Sequence, residues 1–192
     1  METTRLEAFS DGVFAIAVTL LILEIKVPPI ANLGHGLLQL WPSYLAYCIS
    51  FIVVGAIWIN HHAMFEWIER VDQPLILLNT LHLMFIAFVP FPTAVLAEAL
   101  HTRVEQSTAA AFYGGTFTVI ALFVNAMWKY AGAHRELLNE NISLERVRTI
   151  GRRFLVGLAG YALATILAFV TPWASIALFM GLTVYFLWPR NS

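Results

Sequence analysis

Apolar runs separated by short charged stretches fill almost the whole chain. The first run opens in a charged cluster, Arg5, Glu7 and Asp11. It continues apolar from Val13 to Leu23, interrupted only by Thr19, and ends on Glu24 and Lys26. Twelve residues separate Asp11 from Glu24, about 18 Å of helix, against a hydrocarbon core about 30 Å thick. A lone helix of this kind would draw carboxylates into lipid at both ends, whereas intramembrane charges normally face protein or a water-filled cavity. The pattern therefore predicts an inner helix, wrapped by the rest of the chain and wetted at both ends.

Five more apolar runs follow, giving six predicted spans at about 5–26, 37–59, 74–97, 108–128, 154–170 and 173–188. Pro28-Pro29 breaks the chain after the first, and Pro42 falls in the opening turn of the second, where proline is tolerated. The second run ends in Trp58-Ile59-Asn60-His61-His62. The third holds Asn79 and His82, and its Pro90-Phe91-Pro92 predicts a kink near its end. The polar stretch 129–153 has apolar residues Leu137, Leu138, Ile142, Leu144 and Val147 at a spacing that predicts an amphipathic helix. Thr171-Pro172 leaves a very tight turn between the last two spans.

The expected fold class is an all-α membrane protein, one six-helix transmembrane domain over residues 1–192. Composition agrees: 59% hydrophobic and 12% charged residues, with a mean hydropathy of +0.74, against roughly 45–50% apolar and 25% charged in soluble domains. An even number of spans puts both termini on one side. Arg5, Arg70, Lys129, Arg135, Arg146, Arg148, Arg152, Arg153 and Arg190 fall on that side, and Lys26 and Arg103 on the other. The basic bias predicts cytoplasmic termini in a multi-pass cell-membrane protein. Trp41, Trp58, Trp128, Trp173 and Trp188 lie near span ends, as an aromatic belt requires. Glu2, Glu7 and Asp11 against Arg5, with no small-x-small site after Leu23, argue against a cleaved signal peptide. Net charge of −1 says nothing useful about partners, and nothing in the sequence suggests nucleic-acid binding. The single cysteine, Cys48, is expected to be a small buried hydrophobe.

Two sets of residues are candidates for function. Arg5, Ser10 and Asp11, then Asn60, His61 and His62, then Asn79 and His82 reach one membrane depth on three helices. They suit a hydrogen-bonded cluster that fixes how the helices meet, or polar groups merely satisfying one another, worth about 0.6 kcal/mol per bond. A metal site is disfavoured, because adjacent histidines diverge on a helix and no His-x-x-x-His pair is present. The second set is a stripe, Ile16, Leu20 and Leu23, at i, i+4 and i+7, with Thr19 beside it. Such a stripe is ordinary core packing or, on a short helix wetted at both ends, a pore wall closed by dewetting. The chain has no TVGYG filter, P-loop, nucleophile elbow or His-Glu-x-x-His helix, so no enzyme class is supported.

Arg5-x-x-x-Phe9-Ser10-Asp11-Gly12 resembles the signature of the transmembrane protein 175 family, the lysosomal and prokaryotic potassium channels. The resemblance continues through Trp58-Ile-Asn-His61-His62, Asn79 and Pro90-Phe91-Pro92. It covers the first three spans; the last three match in number and hydrophobicity. It implies a six-helix subunit whose first helix lines a central pore and, for a chain with one such repeat, a homotetramer. It also implies potassium permeation without a conventional filter, past Ile16, Leu20 and Leu23 as the hydrophobic constriction and Thr19 as the selectivity residue, with Glu24 at the outer mouth. Arg5, Phe9, Ser10, Asp11, Trp58, His61, His62, Asn79 and His82 would form the structural polar cluster. No cofactor or bound metal is expected, only permeant potassium. The function this predicts is a potassium-selective or weakly selective cation channel. The alternatives are a proton or cation carrier that uses Asp11, His61, His62 and His82 as a relay, and an enzyme or assembly factor using the same cluster.

Overall fold

Proline decides where the long helices break. The computed structural model describes residues 3–187; Glu2, Trp188 and Arg190, and with Trp188 the predicted end of the last span, lie outside the described residues. Helix α1 (Thr4–Leu20) tightens into a 3₁₀ turn at Leu21–Glu24. A short helix α2 (Leu33–Gln39) stops before α3 (Trp41–Phe65), because Pro42 has no N–H to donate to the carbonyl of Leu38. The third span is two helices, α4 (Gln73–Phe88) and α5 (Pro90–Thr102). Pro90 and Pro92 cannot close bonds to Ile86 and Phe88, and Val89 N–H bonds Ile86 O at 3.1 Å instead. The kink expected from Pro90-Phe91-Pro92 is this break. Helices α6 (Gln106–Ala133), α7 (Leu144–Ala168) and α8 (Pro172–Leu187) complete the bundle.

Among the described residues, five helical stretches are long and apolar enough to cross a membrane: Thr4–Glu24, Trp41–Phe65, Gln73–Thr102, Gln106–Ala133 and Leu144–Ala168. Pro172–Phe186 is apolar but shorter. The described residues are thus all-helical, with five to six apolar helices.

Two hydrophobic cores lie along the bundle. The larger joins α1, α3, α4, α5, α6, α7 and α8 around Phe117, Tyr113, Tyr161 and Phe179. Inside it, Tyr113 OH, Ser50 Oγ and Thr93 Oγ1 form a buried chain at 3.0 and 2.8 Å, tying α6, α3 and α5 together. Gly114 lets α7 approach α6: a Cβ there would stand 2.7 Å from Thr165 Oγ1 and 3.1 Å from Thr165 Cα. The smaller core packs Met64, Phe65, Ile68, Leu75, Met127 and Trp128 under two interlocked loops. Glu69 and Arg70 N–H both bond Leu137 O, at 3.0 and 3.2 Å, and Asn139 N–H bonds Trp67 O at 2.9 Å.

Three sequence expectations are corrected. Residues 129–153 hold no separate amphipathic helix. Helix α6 runs on to Ala133, a 3₁₀ turn occupies Arg135–Leu137, and Ser143 caps α7, its Oγ accepting from Arg146 N–H at 3.1 Å. Leu137, Leu138 and Ile142 are buried because they cap the smaller core, while Leu144 is exposed. Cys48 is exposed on α3, not buried. Helix α1 is not wrapped by its own chain: 22% of its apolar window is buried.

Candidate functional site

Helix α1 has two faces with opposite fates. Ser10, Phe14, Ala17 and Leu21 repeat at helical spacing and are all buried. Ile16, Leu20 and Leu23 are 60, 41 and 63% exposed, and Thr19 is exposed beside them. The stripe is therefore not core packing within one chain. The residues opposite it took that role. Leu23 stands in the 3₁₀ turn, where the rise is nearer 2.0 Å per residue, so Ile16 and Leu23 are about 12 Å apart along the axis. Thr19 donates its hydroxyl proton to Ile16 O at 2.9 Å. Its oxygen keeps lone pairs for another donor or a cation. Glu24 is half-buried at the end of the turn, and Lys26 Nζ caps Leu23 O at 3.0 Å.

Behind this face lies a polar chain. Ser10 Oγ donates to Leu6 O at 2.8 Å, the Asn79 amide donates to Ser10 Oγ at 3.0 Å, and Asn79 Oδ1 lies 2.8 Å from His61 Nε2. A carbonyl oxygen only accepts, so this network assigns the proton to His61 Nε2. The His61 ring stacks on that of His82 at 5.5 Å and 7° between planes, and Phe14 tilts against both, at 5.4 and 6.0 Å. His82 is fully buried; neither ring nitrogen has a partner in good hydrogen-bond geometry, although the Ile120 backbone lies close enough to interact with the ring. Helices α1, α3 and α4 each contribute to the chain, so it fixes their register.

Asp11, Trp58 and His62 form a separate outward layer. Trp58 Nε1 donates to an Asp11 carboxylate oxygen at 2.8 Å, and His62 stacks on Trp58 at 5.9 Å. His61 and His62 diverge, as helical geometry requires: one is buried and the other exposed. Arg5 and Phe9 are exposed and stand outside both layers. Arg5 and Asp11, expected together in the polar cluster, form no ion pair among the described residues. Six positions separate them, which places them roughly 120° apart around one helix, and Asp11 is held by Trp58 instead. Among the described residues no three His, Cys, Asp or Glu side chains gather as metal ligands would.

Sequence reasoning missed Asp72. It caps α4, accepting from Leu75 N–H at 3.1 Å, and takes the Tyr130 hydroxyl at 2.6 Å. Burial raises its pKa, but the bonds from Tyr130 and Leu75 outweigh this and hold the carboxyl below its usual value. The signal was legible as an aspartate followed by Gln73-Pro74 at a helix start.

Comparison with known proteins bears on what this arrangement serves. Residues 5–90 match the family described as endosomal/lysosomal potassium channel TMEM175. A potassium channel of Chamaesiphon minutus is 42% identical over 196 aligned positions, covering 100% of this chain and 96% of the relative. The crystal structure of a lysosomal potassium-selective channel TMEM175 homolog from the same organism superimposes with a TM-score of 0.87, covering 96% of this chain and 95% of that one. The endosomal/lysosomal proton channel TMEM175 of Gallus gallus is 38% identical over 150 positions, 70% of this chain and 29% of the relative. The chain belongs to the TMEM175 family, a family of membrane channels rather than enzymes.

Proposed function

We propose that this chain is the subunit of a homotetrameric potassium-selective or weakly selective cation channel of the cell membrane. Its 192 residues act as a single six-helix domain, and four copies of α1 surround the pore. The observation that carries the reading is the exposure of Ile16, Thr19, Leu20 and Leu23 on a helix whose other face is fully packed. A neighbouring groove of about 350 Å³ lined by Asp11, Phe14, Phe51 and Trp58 also stands open on the single chain, where another subunit would seat. The three apolar rings exclude water at the axis, so an ion crossing them sheds hydration. Thr19 oxygens replace part of that hydration, and Glu24 concentrates cations at the outer mouth. Ser10, Asn79, His61 and His82 hold α1 in place from behind; Asp11, Trp58 and His62 brace its cytoplasmic end. Arg5 and Phe9 are left for contacts between subunits. The basic bias of the loops supports cytoplasmic termini.

A second reading rests on one observation, the buried ring of His82, without a well-formed hydrogen bond, stacked on His61. Those rings with Asp11 and His62 would serve a proton or cation carrier. Potassium flux from liposomes containing the purified protein separates the two. A channel gives flux that does not saturate and needs no second ion; a carrier gives saturable, coupled flux.

A further inference from the structure

At the loop-bearing end of the bundle, α3 and α7 diverge and leave a cavity of about 530 Å³. One rim carries Arg146, Arg152 and Arg153, faced by the single carboxylate Glu66. Aromatic groups, not carboxylates, hold two of these arginines. The Arg146 guanidinium lies over the Trp67 ring at 5.4 Å, and that of Arg153 over Phe186 at 5.5 Å. Arg153 Nη2 donates to Phe186 O at 3.1 Å, while its Nε is buried without a partner. Among the described residues the one ion-pair contact is the exposed His62–Glu66 pair at 4.0 Å, charged only when His62 is protonated, so no described carboxylate neutralises these arginines.

The floor of the cavity is different in kind. Met64, Ile150 and Val156 line it, and Asn60 and Phe154 also border a neighbouring small apolar cleft of about 40 Å³ between Ala56, Ile120, Gly157 and Tyr161. Beyond Val156 the face of α7 is apolar and exposed through Leu163 and Ile166. A basic rim above an apolar path is the geometry of an amphiphile site, and basic pockets between transmembrane helices at the membrane surface select anionic headgroups. We propose that this cavity binds an anionic phospholipid, its phosphate against Arg146, Arg152 and Arg153 and its first acyl methylenes in the cleft. Bound there, the lipid braces the end of α3 that carries His61 and Trp58. The site is independent of the conduction reading.

The test is native mass spectrometry of the full-length protein in detergent, titrated with phosphatidylglycerol or phosphatidylcholine. Arg153 supports α8, so the exposed pair Arg146→Gln/Arg152→Gln is the informative variant, and Arg148→Gln, exposed but outside the cavity, is the control. The wild type and R148Q should bind phosphatidylglycerol on the order of tenfold more tightly than phosphatidylcholine, and the double variant should lose most of that preference. Equal binding of the two lipids, or an equal loss in R148Q, would overturn the proposal. So would displacement of the lipid by millimolar inorganic phosphate, which would make the cavity a simple anion site. A double variant that alters subunit stoichiometry while keeping its lipid would make it a subunit contact.

Discussion

Asn79 is the joint through which α1, α3 and α4 meet, and its replacement by alanine has a magnitude that can be worked out. The side chain is fully buried and makes two bonds, to Ser10 Oγ and His61 Nε2. Ser10 survives the loss, because its own proton still goes to Leu6 O. His61 does not. Its Nε2 faces the vacated space, its other close neighbours are the rings of Phe14, Phe65 and the stacked His82, and either neutral tautomer leaves one nitrogen orphaned. Two bonds at the membrane-protein average of about 0.6 kcal/mol set the lower bound near 1 kcal/mol. An orphaned buried group costs about 1–3 kcal/mol, which sets the upper bound. Trp58→Phe removes a bond of the same length to Asp11, but from a side chain 40% exposed, and should cost less than about 1 kcal/mol. Unfolding in mixed micelles by titrated SDS measures both. Because they share one bond, Ser10→Ala and Asn79→Ala should combine to less than their sum. Asn79→Ala within about 0.5 kcal/mol of wild type, or no worse than Trp58→Phe, would refute the cluster as the clamp on α1.

Thr19→Ala should weaken discrimination between potassium and sodium in reversal-potential measurements while conductance changes little, since it removes a hydroxyl and leaves the apolar rings. Gly114→Ala should destabilise by about 1–3 kcal/mol through overpacking against Thr165. Gly115→Ala, which meets nothing within 4 Å, should be neutral or stabilise α6 by up to about 1 kcal/mol; thermal melts compare the two. Asp72 has a lowered folded pKa, so its stabilisation is present above the unfolded value of 3.8 and is lost as pH falls through the folded value. Asp72→Asn should flatten that part of the acid melting profile, and Tyr130→Phe should flatten it partly.

The apolar runs, the proline break and the polar chain through Ser10, His61 and Asn79 were legible because each is written in local spacing or in residues too polar to be buried alone. The stripe on α1 was legible as a face, but whether it was core or surface depended on which opposite residues were packed. Ser10, Phe14, Ala17 and Leu21 settle that only in three dimensions. The stretch 129–153 misled because leucines that cap a core from a loop can imitate helical periodicity. Arg5 and Asp11 misled because opposite charges near one another in sequence can stand on different sides of a helix. Cys48 shows the remaining weakness: apolar runs in membrane proteins say which residues avoid water, not which face protein and which face lipid.

The central claim is that the outward face of α1 is the gate of an ion pathway. Potassium flux into liposomes, measured per folded protein for wild type, Ile16→Asn and Leu23→Asn, tests it most directly. If that face forms apolar rings around a pore, each asparagine wets one of them, and both variants should raise the flux and weaken preference for potassium over sodium. Flux and preference unchanged in both variants, or wild-type protein with no potassium flux at all, would contradict the account.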